Sequence, residues 1–256
     1  MEAPGFFPRR EVGKDEVRIK RATDMLVLGV ETATSVGSVA IVEESGLIAE
    51  LTLKENVTHS ERLLPTIDLL LKKSKLSFSD IDALSVSRGP GSFTGLRIGI
   101  STIKGLAMAG NKPVVAIPTL DALAENYLGS DLLICPMIDA RKDEVFTALY
   151  RRNYTRGLQK LTSDLAIAPP AFLPTIKGKV GFLGDGSQRY RALIEDLLGD
   201  RAVFAPPWLH SPRAAMIAYR GLEEIKSGNS ANVDKLTPLY VRAPDAEMDK
   251  GRQITL

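Results

Sequence analysis

One arrangement occurs twice along the chain: an apolar run, an acid, a short polar turn and a second apolar run. Met25 to Val30 leads into the polar turn Glu31 to Ser35, which the acid opens, and Val36 to Val42 follows. Leu132 to Ile138 leads into the polar turn Asp139 to Asp143, again opened by the acid, and Glu144 to Tyr150 follows, so that Glu31 matches Asp139. An uninterrupted apolar run of this length marks a strand buried on both faces, which needs material packed on either side. Two copies call for two strand-rich α/β units, with the boundary near Asn126 to Asp131. The period is too long and the copies too few for a solenoid.

Each copy continues as strands and helices in alternation. Leu47 to Lys54 reads as a third strand of an opening meander. Thr58 with Glu61 fits a capping box, and Leu63, Leu64, Ile67, Leu70 and Leu71 form the apolar stripe of the helix behind it, with Pro65 kinking its first turns. A strand at Ala83 to Ser87, a glycine-rich turn, a helix from Thr94 to Ala109, a strand at Val114 to Ile117 and a helix from Leu120 to Leu128 complete the first copy. After Pro169, Pro170 and Pro174 come a strand at Val180 to Leu183, the loop Gly184 to Ser187 and a helix from Tyr190 to Leu198. The expected organisation is an N-terminal lobe at 25–128 and a C-terminal lobe at 129–256, with the last helix able to pack back on the first lobe. Residues 1–24 carry six cations and five acids with sparse, aperiodic apolar residues, and are expected to be a disordered extension or a leader.

The charge balance narrows the function. Thirty-three Lys and Arg stand against 31 Asp and Glu, and outside residues 1–24 the counts are 27 and 26. Such a neutral body excludes coating of nucleic acid by bulk charge and suits a subunit whose main contact is another protein. One cysteine, Cys135, excludes an intramolecular disulfide and a multi-thiolate zinc site, and its place in an apolar strand predicts a buried, inert thiol. With only His59 and His210, a His-rich metal centre is hard to build. No apolar run approaches the roughly 20 residues that span a bilayer, and no secretory signal is legible, so a cytoplasmic protein without membrane contact is expected.

A duplicated α/β unit with an acidic turn in each copy resembles the actin-like ATPase fold of actin, sugar kinases and Hsp70-like proteins, two lobes each with a mixed sheet and flanking helices. In that fold the two turns face each other across a cleft and hold a phosphate and its metal. The resemblance makes Glu31, Thr32 and Asp139 candidates for a nucleotide cleft, with Gly184, Asp185 and Gly186 where the fold places an adenosine-contacting loop. It also frames an alternative function, an ATP-dependent phosphotransferase or ATPase working through Glu31 and Asp139. Against that alternative, the turn Asp139 to Asp143 has no glycine to let its backbone approach a phosphate, and a lone Gly-Asp-Gly is commonly an ordinary turn. Residual architecture is the reading favoured for these positions.

The segment Ser87-Arg-Gly-Pro-Gly-Ser-Phe-Thr-Gly-Leu-Arg-Ile-Gly99 is the most specific in the chain. Gly89, Pro90 and Gly91 make a sharp strand-to-helix turn, Ser92 or Thr94 can cap the next helix, and no Walker lysine follows. Gly95 and Gly99 share one helix face, while Leu96, Ile100, Ile103 and Ala107 form another stripe. The physical reading alone allows a purely structural turn. With Lys104 to Ala107, Glu31 to Thr34, His59 to Pro65, Ile138 to Arg141 and Pro238 to Arg242 in order, however, the chain from Met25 onward closely resembles the TsaB family, formerly called YeaZ, of tRNA threonylcarbamoyladenosine synthesis.

That resemblance implies a subunit with no catalytic or metal-binding residues of its own. It would dock on TsaD, the paralogue that transfers the threonylcarbamoyl group to the adenosine beside the anticodon, with the ATPase TsaE joining and tRNA reached through the complex. It implies self-association as a homodimer when alone, no tightly bound cofactor, and ATP or ADP only within the complex. The family packs the helices at 59–75 and 94–109 on TsaD or on a second copy. This makes His59, Leu63, Leu64, Ile67, Leu71, Leu96, Arg97, Ile100, Ile103 and Lys104 the expected interface. Leu63, Leu64, Leu69 and Leu71 cannot all point one way, which leaves apolar surface over for a partner. TsaD binds metal through a His-x-x-x-His pair on a helix, whereas here Leu63 follows His59, so His59 is expected as a helix-terminal hydrogen-bonding residue. Arg151, Arg152 and Arg156, interleaved with Tyr150 and Tyr154, suit either single-stranded RNA or a solvated hairpin tip.

Overall fold

The computed structural model describes residues 24–54, 59–128, 132–153, 155 and 157–242. The expectations for residues 1–23, the Thr58 cap, Tyr154 and Arg156 lie outside the described residues. In the first lobe β1 (Val27–Glu31), β2 (Gly37–Glu43), β3 (Gly46–Leu53), β4 (Ala83–Gly89) and β5 (Val114–Pro118) form a sheet in the order β3-β2-β1-β4-β5. Pairing is antiparallel through β1, β2 and β3 and parallel through β1, β4 and β5.

The second lobe contains β6 (Leu133–Arg141), β7 (Glu144–Thr147), β8 (Tyr150–Asn153), β9 (Gly157–Lys160), β10 (Leu165–Ile167), β11 (Val180–Leu183) and β12 (Ala202–Phe204). Its order is β10-β7-β6-β11-β12, with the β8–β9 hairpin joined to β6. With that hairpin set aside, β6, β7, β10, β11 and β12 repeat the places and directions of β1, β2, β3, β4 and β5. The structure thus has the duplicated mixed-sheet architecture expected from the repeated acidic turns. One expected strand, Glu144 to Tyr150, is divided. Thr147 ends the pairing with β6 and β10, the Leu149 amide turns to the Thr162 hydroxyl at 2.9 Å, and Tyr150 begins a new pairing with Ile134.

The helices are α1 (His59–Lys73), α2 (Phe93–Gly110), α3 (Thr119–Glu125), α4 (Pro169–Phe172), α5 (Asp185–Arg189), α6 (Arg191–Leu198) and α7 (Ala214–Lys226). The expected loop at Gly184 to Ser187 is largely the first turn of α5, and the helix expected to Leu128 ends at Glu125. α1 and α2 cover one face of the first sheet. Leu63, Ile67, Leu70 and Leu71 meet Ile100, Ile103 and Ala107 over Leu28, Val30, Ile41 and Leu84. α7 covers the other face, where Ala218 and Leu222 pack on Val27, Val42 and Ala83. Both faces of β1 are therefore dry, as its apolar run requires. The free N–H groups of α7 are met from the first sheet. The Ser38 hydroxyl accepts from Ala214 at 2.9 Å and Glu50 Oε1 accepts from Ala215 at 3.0 Å.

After α7 the chain crosses the first lobe again. The Ala231 amide bonds to the Val114 carbonyl at 2.7 Å, Leu236 enters the first core, and the Leu239 amide reaches the Arg88 carbonyl at 2.6 Å. Arg242 then donates to the Glu144 carboxylate at 2.6 Å and to the Ala140 carbonyl at 2.9 Å, which ties this strap to the second lobe.

Candidate functional site

Between the lobes lies a cleft of about 540 Å³ lined by Ala33, Ser92, Phe93, Asp139, Arg141, Asp185 and Tyr240, among others. The acids expected to face one another across it do not. Asp139 and Asp185 line it, whereas Glu31 and Thr32 are buried behind its first-lobe wall.

Glu31 closes β1 opposite Ser38 and is fully buried. Its Oε1 accepts the Ala33 N–H, and its Oε2 has no hydrogen-bond partner among the described residues. Burial pushes the carboxyl up to about 7, against the opposing pull of the Ala33 amide, the Ser87 hydroxyl and the Thr32 amide. The residues after Glu31 are sewn to the start of α2. The Thr32 hydroxyl donates to the Gly95 carbonyl at 2.8 Å, the Ala33 carbonyl accepts from Ser92 at 2.7 Å, and the Ser92 hydroxyl caps α2 by accepting from Gly95 at 3.2 Å. In this geometry Glu31 and Thr32 brace a helix terminus.

The second-lobe side is neutralised from within. Arg189 Nη1 donates to both oxygens of Asp139 at 3.0 and 2.9 Å, and Arg141 adds its amide at 3.0 Å. Asp185 Oδ1 accepts from the amides of Asp139 at 3.0 Å and Gly186 at 2.8 Å. Burial raises the Asp185 carboxyl above its ordinary value, and those two amides pull it back. Gly184 leaves no room for a side chain against Met137, so this segment packs tightly on β6. Asp139 would have to surrender Arg189 to serve a phosphate-bound metal, so the arrangement does not favour the phosphotransferase alternative. Among the described residues, no three of His, Cys, Asp and Glu stand together as a metal site. His210, expected in a loop, is buried with its ring nitrogens 3.1 Å from the Gly184 carbonyl and 3.0 Å from the Ala205 carbonyl, which anchors the segment before α5.

The outer face of α1 and α2 requires a correction. Leu63, Ile67, Leu71, Leu96, Ile100 and Ile103, expected at a partner interface, are interior. The stripe assigned to a partner is the stripe these helices use to cover their own sheet. Leu64, 53% exposed, and Arg97 stay at the surface, Lys104 is half-buried, and the His59 side chain lies outside the described residues. Leu69 at 46% and Met108 at 72% join them, and Ser101, Gly105 and Ala109 give α2 a low, small-residue ridge. Ile103→Ala is accordingly expected to lose about 2–4 kcal/mol in urea unfolding, and Leu64→Ala no more than about 0.5 kcal/mol. Equal losses would mean that the two positions share an environment.

The sequence reading also missed the contact between this surface and the strap. The Phe93 and Tyr240 rings stack 5.2 Å apart, Arg97 lies 3.9 Å from the Phe93 ring, and its Nε reaches the Tyr240 hydroxyl at 3.3 Å. The signal was present in the Pro238 to Arg242 motif, but nothing in its spacing points to Phe93. The RNA reading of the hairpin loses support. Tyr150 is buried with its hydroxyl on Asp121 at 2.7 Å, and Arg152 pairs with Glu125 at 2.7 Å, leaving Arg151 exposed. Cys135 is buried, and burial pushes its thiol up to about 12. No helix of the described residues is long and apolar enough to cross a membrane.

The family model for TsaD, tRNA N6-adenosine threonylcarbamoyltransferase, matches residues 46–250. The tRNA threonylcarbamoyladenosine biosynthesis protein TsaB of Bacillus subtilis is 33% identical over 227 residues, covering 87% of this chain and 96% of that protein. The protein of the same name from Escherichia coli is 37% identical over 227 residues, covering 85% of this chain and 95% of its own. Among solved structures, YeaZ from Pseudomonas aeruginosa superposes with a TM-score of 0.71 at 26% identity, covering 84% of this chain and 99% of its own. Sequence motifs, duplicated fold and near full-length relatives agree: the chain belongs to the TsaB (YeaZ) family of tRNA threonylcarbamoyladenosine biosynthesis proteins.

Proposed function

We propose that this chain is the accessory subunit of tRNA threonylcarbamoyladenosine synthesis that docks on TsaD and supports its threonylcarbamoyl transfer, supplying no catalytic side chain itself. The observation that carries this reading is the outer face of α1 and α2. Leu64, Leu69 and Met108 are exposed there beside the ridge of Ser101, Gly105 and Ala109, on helices whose inner stripes already serve the core. Exposed apolar side chains around a low ridge suit close packing by another helical pair. The paired state of Asp139 supports the view that the chemistry is done elsewhere. TsaE joining the assembly, tRNA reached through it, ATP or ADP held only within it, a homodimer in the absence of TsaD and a cytoplasmic setting belong to the same proposal.

The test is co-purification with TsaD of a Leu64→Glu, Leu69→Glu, Met108→Glu variant. These positions are at the surface, so its urea midpoint should stay close to the parent's. Its affinity for TsaD should fall by roughly 100-fold or more, as expected when apolar anchors are replaced by charge. Undiminished assembly by a folded variant would remove α1 and α2 from the interface.

A further inference from the structure

A second cavity, of about 400 Å³, lies along β5 where α7 and the segment after it meet the end of β4. Arg88 lines it. Among the described residues, the buried Arg88 Nε has no hydrogen-bond partner and no contact engages the rest of its guanidinium. Its backbone is committed, since its carbonyl accepts the Leu239 amide at 2.6 Å. A desolvated guanidinium N–H left unpaired is costly, and the group is a planar fork matched to a two-oxygen anion.

The other charges around the cavity divide unevenly. Arg220 also lines it and is held loosely, with Nη1 at 3.6 Å from both Glu125 and Glu223. The two lining acids are already engaged. Asp121 Oδ1 accepts from Tyr150 at 2.7 Å and Lys160 at 2.9 Å, and Glu224 accepts from Asn229 at 2.8 Å. Two arginines against two carboxylates leave the lining formally neutral, so a monoanion enters at less electrostatic cost than a phosphate dianion. The volume falls within the range of small-molecule pockets.

We propose that this cavity is a binding site for a small free carboxylate, gripped in bidentate fashion by Arg88 with Arg220 as the second cation. The site is separate from the inter-lobe cleft and from the outer face of α1 and α2. Through Arg88 it adjoins Gly89, where the turn into α2 begins.

The experiment follows arginine Nε–Hε resonances of the full ¹⁵N-labelled chain during titration, at constant ionic strength, with acetate, N-acetylglycine, inorganic phosphate and chloride. One resonance, absent from Arg88→Lys, should move saturably with the two carboxylates at millimolar concentration. Arg88→Gln should raise the apparent Kd, read from neighbouring amides, by about tenfold or more. Glu224→Gln should lower it a few-fold by removing a rim charge. Should Arg88→Gln fail to fold, Arg88→Lys decides, since it keeps the charge and loses the fork. No saturable shift, an equal response to phosphate or chloride, or carboxylate affinity unchanged in the folded Arg88 variants would each overturn the assignment.

Discussion

Gly91→Ala is expected to destabilise the fold by about 3 kcal/mol or more and to weaken docking on TsaD in parallel. Gly91 has φ of +156°, and a Cβ there would press on the Ala33 carbonyl oxygen while lying 2.7 Å from the Ala33 Cβ. The obstacle is largely backbone and cannot rotate away. The same carbonyl accepts the Ser92 N–H at 2.7 Å, so relieving the clash breaks a bond that sets the start of α2. Thr32 and Gly95 would lose their alignment with it. A tilt of α2 moves Met108 and the small-residue ridge, which couples a buried defect to the outer surface. Gly46→Ala provides the comparison. Its φ is +137°, yet a Cβ there meets nothing within 4 Å, so it should show conformational strain alone, about 1 kcal/mol. Urea unfolding of both variants, with the TsaD affinity of whatever remains folded, separates the clash from the strain. A Gly91→Ala loss no larger than that of Gly46→Ala would mean that the turn yields without disturbing Ala33.

The sheets were legible because strand burial leaves a strong local mark. Met25 to Val30 and Leu132 to Ile138 are apolar throughout, and each becomes the central strand of its lobe with neighbours on both sides. The helix stripes were equally legible, but an apolar stripe does not state what covers it. Leu63 and Leu64 are adjacent and alike in chemistry, yet one is in the core and the other faces outward. Only the position of α1 on its sheet decides between them. The cleft was the least legible part. Asp139 is neutralised by Arg189, fifty residues away, and no spacing rule relates a strand-end acid to an arginine on α5. Glu31 read as the first residue of a polar turn, where an acid meets solvent or a metal. In the structure it is the last residue of β1, paired with Ser38, and one more residue of strand carries its carboxyl into the interior.

That placement gives the chain an expected pH dependence of stability. An ordinary glutamate titrates near 4.5, and the buried Glu31 is pushed up to about 7. Below about pH 4.5 the carboxyl is protonated in both folded and unfolded chains and exacts no penalty. Between 4.5 and 7 the unfolded chain releases the proton while the folded chain keeps it, so the native state binds more protons and stability falls as pH rises. Above 7 the loss is complete and constant, on the order of 3 kcal/mol, since each tenfold change in proton affinity is worth about 1.4 kcal/mol. Among the described residues no charged neighbour contributes to the raised value; the groups acting on the carboxyl are the Ala33 and Thr32 amides and the Ser87 hydroxyl. Glu31→Gln approximates the protonated form and keeps an oxygen for the Ala33 amide. It should match the parent near pH 4.5 and exceed it by up to about 3 kcal/mol at pH 8, with the gap opening between those values. All other titrating groups are common to the two proteins and cancel in the difference. Stability curves from urea unfolding that run parallel from pH 4.5 to 8 would show that Glu31 ionises normally, and its carboxylate would then need a partner that this geometry does not provide.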